Sequence, residues 1–154
     1  MAIYVTSDAH GHVRALDEAL SKISLTSDDT LYVLGDMIDR GPDPVGVIKL
    51  VRSLPNARVL KGNHEQIMLD AIIGQDPLDA ETWDINGGWT TREQLNDMEF
   101  EAYEELVRWM AAPPRSECRR APAGTAARQS RPPRRAAARP SIARAPRMPQ
   151  IPCR

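Results

Sequence analysis

"TLYVLGDMIDRG", Thr30 to Gly41, is the stretch on which the fold turns. Its first five residues, Thr30 to Leu34, are apolar and β-rich, the pattern of a buried strand. The next seven crowd Asp36, Asp39 and Arg40 between Gly35 and Gly41. In open α/β sheets, ligands sit outside the carboxyl ends of the strands. A buried strand that runs straight into charged, glycine-marked backbone therefore places polar groups where such folds do their chemistry.

The same arrangement recurs on either side. "AIYVT" (Ala2 to Thr6) is a short strand followed by "SDAHGH" (Ser7 to His12), and "ARVL" (Ala57 to Leu60) is a strand followed by "KGNHE" (Lys61 to Glu65). Helical patterns lie between them. "VRALDEALSKI" spaces Val13, Leu16, Leu20 and Ile23 for one helix face. "PVGVIKLVRSL" opens with Pro44, which suits a first helical turn. "EQIMLDAII" (Glu65 to Ile73) reads as a helix ended by Gly74, its Met and Ile residues as core, and further helices are expected near Thr91 to Asn96 and Phe100 to Met110. This β-α-β-α-β-α order predicts an α/β fold with a parallel sheet.

Charge divides the 154 residues in two. Residues 1–112 carry 20 Asp+Glu against 9 Lys+Arg, a net of −11, whereas residues 113–154 carry 11 Arg against one acid, a net of +10. The second part is mostly Ala, Arg and Pro, without apolar periodicity, and is expected to be a disordered basic tail. It holds both cysteines, Cys118 and Cys153, so residues 1–112 contain neither a disulfide framework nor a CxxC metal site. No signal peptide is apparent, and no apolar run approaches the ~20 residues that span a bilayer. A cytoplasmic location without membrane attachment is the expectation.

The three polar segments offer a consistent chemistry. Asp8 and His10 are two apart and, on extended backbone, would point the same way. They could grip one divalent cation, with Asp36 adding an oxygen and Asn63 offering an amide oxygen to a second cation. His64 could donate a proton, and Asp39 could orient its imidazole. Arg40 presents a planar fork suited to phosphate. Each residue also has a plainer use. Asp36, Asp39 and Asn63 suit turns or helix caps, His12 a solvated helix start, and Lys61 a solvated strand end. Three such segments in order, each at the end of a strand, favour the joint reading.

"SDAHG", "GDMIDRG" and "GNHE" closely resemble the three opening motifs of the calcineurin-like metallophosphoesterases, D-x-H, G-D-x-x-D-R-G and G-N-H-E. With "WDINGGW" (Trp83 to Trp89), they look most like bacterial and phage serine/threonine protein phosphatases. A related branch cleaves diadenosine tetraphosphate symmetrically. The resemblance spans about Met1 to Met110. It implies two facing β-sheets flanked by helices, of which residues 1–112 would supply the amino-terminal half. It also implies two divalent metal ions, manganese first, with zinc or iron as alternatives. Asp8, His10 and Asp36 would hold the first metal, and Asp36 and Asn63 the second. His64 would be the general acid, oriented by Asp39, and Arg40 would bind substrate phosphate. Lys61, standing where many relatives have arginine, would assist it. The substrate would be a phosphoprotein or a small phosphoester.

One departure bears on activity. The family completes its second metal with histidines from segments like V-H-A-G and G-H-T, and this chain has only His10, His12 and His64. A weaker second site, a partly uncovered first sheet and marginal stability follow as expectations. The tail composition is what a GC-rich gene read out of frame yields, so a truncated or frameshifted, weakly active or inactive phosphatase is expected. The alternative is a genuine basic tail. A nonenzymatic phosphate- or nucleic-acid-binding protein would use its arginines, although no aromatic is interleaved for base stacking. Asn86, Gly87 and Gly88 fit either a site loop or a simple turn.

Overall fold

The computed structural model describes residues 2–74 and 76–113. Three short strands, β1 (Ile3–Thr6), β2 (Thr30–Val33) and β3 (Ala57–Val59), form a parallel sheet in the order β1-β2-β3. The helices α1 (Val13–Ile23) and α2 (Pro44–Ser53) connect them. After β3 come α3 (Asn63–Leu69), a π-helical turn (Asp70–Gly74), α4 (Pro77–Ile85), α5 (Trp89–Asn96) and α6 (Phe100–Ala111). The predicted α/β architecture is present, with one sheet among the described residues. The predicted basic tail lies outside them from Pro114 onward, as do both cysteines.

Register explains which face of the sheet is buried. Tyr4 pairs with Leu31 and Leu31 with Ala57, while Thr6 pairs with Val33 and Val33 with Val59. These share a face, and Leu31 and Val33 are buried in one core with Ile48, Val51, Met68, Leu106 and Met110. The opposite face carries Ile3, Val5 and Arg58, and Ile3 and Val5 are 55% and 61% exposed. The expectation of a partly uncovered first sheet is met on that face.

Capping chemistry sets the helix starts. Asp43 accepts the Gly46 N–H at 2.8 Å with Pro44 in the first turn. Asp76 accepts the Leu78 N–H at 2.9 Å with Pro77 in the first turn of α4, the same Asp-Pro signal. The sequence reading missed α4 because Trp83 is its one buried residue, which leaves no apolar period to detect. The helix expected at Glu65 starts at Asn63 instead, since Glu65 Oε2 reaches back to accept the Gly62 N–H at 2.8 Å. It also passes into a π-helical turn at Asp70 rather than continuing as α-helix to Ile73.

Candidate metal centre

The segments after β1 and β2 are laced together by their backbones. The Asp8, His10 and Gly11 N–H groups donate to the carbonyls of Gly35, Asp36 and Met37 at 3.3, 3.0 and 2.9 Å. Extended backbone would align Asp8 and His10. The chain instead turns left-handed at both, with φ of 55° and 40°, and again at Asp36 (52°), Asp39 (70°) and Arg40 (66°). The two side chains do converge, but through tight turns rather than strand alternation. Left-handed non-glycine residues cost roughly 1–2 kcal/mol each, less for Asp, and persist where the surroundings dictate them.

Two glycines let the second and third segments touch. A Cβ on Gly35, whose φ is 91°, would lie 2.1 Å from the Gly62 nitrogen. One on Gly62 would lie 2.3 Å from Asp36 Oδ1. Glu65 ties this crossing. Its buried carboxylate accepts the N–H groups of Asp36 (2.9 Å), Met37 (2.8 Å) and Gly62 (2.8 Å). Glu65 was quoted in the sequence but given no role. The available signal was an acid at the third position of a helix, where side chains reach back to free N–H groups.

The backbone bonds between the segments after β1 and β2 bring Asp8, His10 and Asp36 together, with one ligand atom from each lying within 4.8 Å of the others. Neighbouring ligands about 2.1 Å from a shared cation lie roughly 3.0–3.6 Å apart, so atoms separated by up to 4.8 Å would close by about an ångström to share one. His10 Nδ1 lies 2.9 Å from the Ile38 carbonyl, which can only accept. That bond puts the ring proton on Nδ1 and leaves the Nε2 lone pair facing the group, 3.9 Å from Asp8 Oδ1. The Asn63 amide faces the Asp36 carboxylate at 3.0 and 3.1 Å. With its NH2 turned there it donates hydrogen bonds; with its oxygen turned there the two residues form a cation-sharing pair. Carboxylate, imidazole and amide oxygens suit a divalent cation of the harder or borderline kind.

A second constellation adjoins the first. His64 Nδ1 donates to Asp39 Oδ2 at 2.8 Å, with both residues buried. The His10 and His64 rings meet edge to face at 4.7 Å. Arg40 lies across them, with one guanidinium nitrogen 3.1 Å from His10 Nε2 and the other 2.9 Å from His64 Nε2. Lys61 Nζ donates to the Ala111 carbonyl at 3.1 Å, at the end of α6. His12 is exposed and precedes α1, and its carbonyl accepts the Leu16 N–H, as a helix-start residue does. Gly87 accepts the Arg40 backbone N–H at 3.0 Å, so the Asn86–Gly88 turn is also a support for Arg40. Trp83 and Thr91, both buried, donate to Asp39, and the sequence reading had not identified either.

The calcineurin-like phosphoesterase model matches residues 1–118. The chain belongs to that family. This calcineurin-like phosphoesterase is 30% identical over 117 residues to a symmetrical bis(5'-nucleosyl)-tetraphosphatase of Erwinia tasmaniensis, covering 74% of this chain and 39% of the relative. It is 38% identical over 92 residues to serine/threonine-protein phosphatase 1 of Salmonella typhimurium, covering 58% of this chain and 41% of the relative. A solved metallophosphoesterase from Sphaerobacter thermophilus superposes with a TM-score of 0.50 at 28% identity, over 73% of this chain and 40% of that one. The phosphoesterase chain thus spans about two fifths of the length of the relatives it matches. Among its described residues, no helix is long and apolar enough to cross a membrane.

Proposed function

We propose that this chain carries the centre of a metal-dependent hydrolase acting at phosphorus. The observation behind the reading is the convergence of Asp8, His10 and Asp36 ligand atoms within 4.8 Å. Asp8, His10 and Asp36 hold one divalent cation, manganese first, and Asp36 with Asn63 holds a second more weakly. When bound, such cations ease ionisation of the attacking water and neutralise phosphoryl oxygens. Asp39 fixes His64 through Nδ1, and Nε2, which faces the Arg40 guanidinium here, would deliver a proton to the leaving oxygen once Arg40 turns to the phosphate and the ring takes up a second proton. Arg40 lies beside both histidines, so an incoming phosphate can draw the guanidinium onto its own oxygens. Lys61 adds charge only if it leaves the Ala111 carbonyl. Every residue named in this reading lies within residues 1–112.

Two substrate classes have support. The Salmonella phosphatase favours phosphoserine or phosphothreonine monoesters, as the "WDINGGW" resemblance does. The Erwinia tetraphosphatase, aligned over more of the chain, favours symmetrical cleavage of a dinucleoside tetraphosphate. Turnover of a phosphopeptide and of diadenosine tetraphosphate is compared with manganese present and after chelation. Manganese-dependent release of phosphate from one, or of nucleoside diphosphate from the other, assigns the class. No turnover of either, together with no manganese binding by calorimetry, removes the reading.

A further inference from the structure

Asp39 is held by side chains from three later parts of the sequence. It is fully buried, and three side chains donate to its carboxylate. His64 Nδ1 donates to Oδ2 at 2.8 Å, Thr91 Oγ1 to Oδ1 at 2.6 Å, and Trp83 Nε1 to Oδ1 and Oδ2 at 3.0 and 3.2 Å. The Thr91 hydroxyl also accepts the Asp39 backbone N–H at 2.9 Å. One hydroxyl therefore grips both the main chain and the side chain of Asp39. Thr91 stands 52 residues further along the sequence, on α5, and Trp83 stands 44 further, on α4.

The backbone at this point needs such a grip. Asp39 and Arg40 are consecutive non-glycine residues with φ of 70° and 66°. Conformations of this kind persist only where neighbours over-determine them. The neighbours here are Thr91 at Asp39 and the Gly87 carbonyl at Arg40. A buried carboxylate without donors would also be strongly disfavoured as an anion. Trp83 and Thr91 solvate Oδ1, and Oδ2 is left to face the imidazole.

We propose that Thr91, assisted by Trp83, is a positioning residue for the Asp39–His64 pair. Its hydroxyl holds the carboxylate in the one orientation that places Oδ2 on His64 Nδ1 and keeps Nε2 turned toward the centre. This rests on the reading of His64 as proton donor, and neither Thr91 nor Trp83 lies on the strand-end segments.

The experiment uses the full chain with Thr91→Val, which keeps the shape but loses both hydrogen bonds, Thr91→Ser, which keeps them, and Trp83→Phe, which loses the indole donor. The first readout is the proton NMR signal of His64 Nδ1–H. A hydrogen-bonded, exchange-protected signal is expected in the wild type and in Thr91→Ser. It should be broadened or lost in Thr91→Val while the backbone amide spectrum stays dispersed. The second readout is kcat on two aryl phosphates under manganese. A proton donor matters most for a poor leaving group. Thr91→Val should therefore lose about 10–100-fold on phenyl phosphate, the usual range for losing an orienting partner, and much less on 4-nitrophenyl phosphate. A native ring-proton signal in Thr91→Val, or equal losses on both esters, overturns the proposal. If Thr91→Val does not fold, Trp83→Phe is judged by the same two readouts. If the wild type turns over neither ester, the ring-proton signal alone decides the role of Thr91, and the hydrolase reading is judged by its own substrates.

Discussion

The backbone N–H of Asp36 donates to Glu65 Oε2 at 2.9 Å, joining residues 29 apart in sequence. The same carboxylate takes the N–H groups of Met37 and Gly62, so one buried side chain sets how the segments after β2 and β3 cross. Glu65→Ala would strand three N–H groups, and each left buried without a partner costs about 1–3 kcal/mol. Glu65→Gln keeps the volume but turns an NH2 group toward at least one N–H donor. The expected order of stability is wild type, then Gln, then Ala, with Ala down by several kcal/mol, read from urea midpoints. Manganese affinity by calorimetry should fall in the same order, because Asp36 and Asn63 are presented by this crossing. A Gln variant with unchanged stability and affinity would show that the three bonds do not set it.

Asp8 is exposed, whereas the His10 side chain is only 13% accessible, bonded to the Ile38 carbonyl and packed against His64. Asp8→Asn should therefore leave metal-free stability within the range of ordinary surface changes, about 0.5 kcal/mol, while His10→Ala should cost about 1 kcal/mol for the lost Ile38 bond. Their shared effect belongs to the cation. A ligand at 100 times its Kd stabilises a fold by about 2.7 kcal/mol, which makes the wild-type melt depend on manganese. Both variants should lose most of that dependence. A manganese shift that survives both substitutions would place the cation elsewhere.

Asp29 ties the start of β1 to the turn before β2. Its carboxylate accepts the Ala2 N–H at 2.6 Å, the Thr26 hydroxyl at 2.8 Å and the Thr26 N–H at 3.1 Å. These bonds, the one from Ala2 first, hold its pKa below the ordinary 3.8. The unfolded chain then binds the proton more readily than the folded one. The stabilisation is complete above the unfolded-chain value and is lost as pH falls through the lower, folded-state value. The gap in urea midpoint between wild type and Asp29→Asn should stay constant from pH 7 to 5 and narrow below 4. A gap that widens on acidification contradicts the sign.

What could be seen in the sequence, and what could not, follows from the range of the forces involved. The strands and the helices α1 and α2 were legible because local apolar periods, and Pro44 in a first turn, announce them. That Asp8, His10, Asp36, Asp39, Arg40, Asn63 and His64 lie together was legible because strand-end segments in an α/β order bring them to the carboxyl end of the sheet, and their roles are the proposal. Glu65 as a backbone clamp, and Trp83 and Thr91 on Asp39, were not. Apart from Gly62, three residues from Glu65, their partners lie 28 to 52 residues away, and no short-range pattern records a contact of that separation. The left-handed turns at Asp8 and His10 were hidden for a related reason. Non-glycine residues take such φ values only when a neighbouring segment holds them, and here that is the backbone after β2.

The exposed sheet face carries the last prediction. Ile3 and Val5 project from β1, an edge strand, on the face opposite Leu31 and Val33. Parallel sheets are normally covered on both faces, and an apolar edge strand is a template for pairing with another chain. The chain should therefore self-associate as its concentration rises. Ile3→Thr with Val5→Thr keeps β-branched side chains, and so strand propensity, while making that face polar. Sedimentation velocity should show a coefficient that climbs with concentration for the wild type and stays flat for the double variant. The two should melt alike at low concentration, because side chains more than half exposed contribute little to the monomer's core. If the double variant instead melts far below the wild type at every concentration, Ile3 and Val5 are buried within the monomer in solution, and the uncovered face is not the source of association.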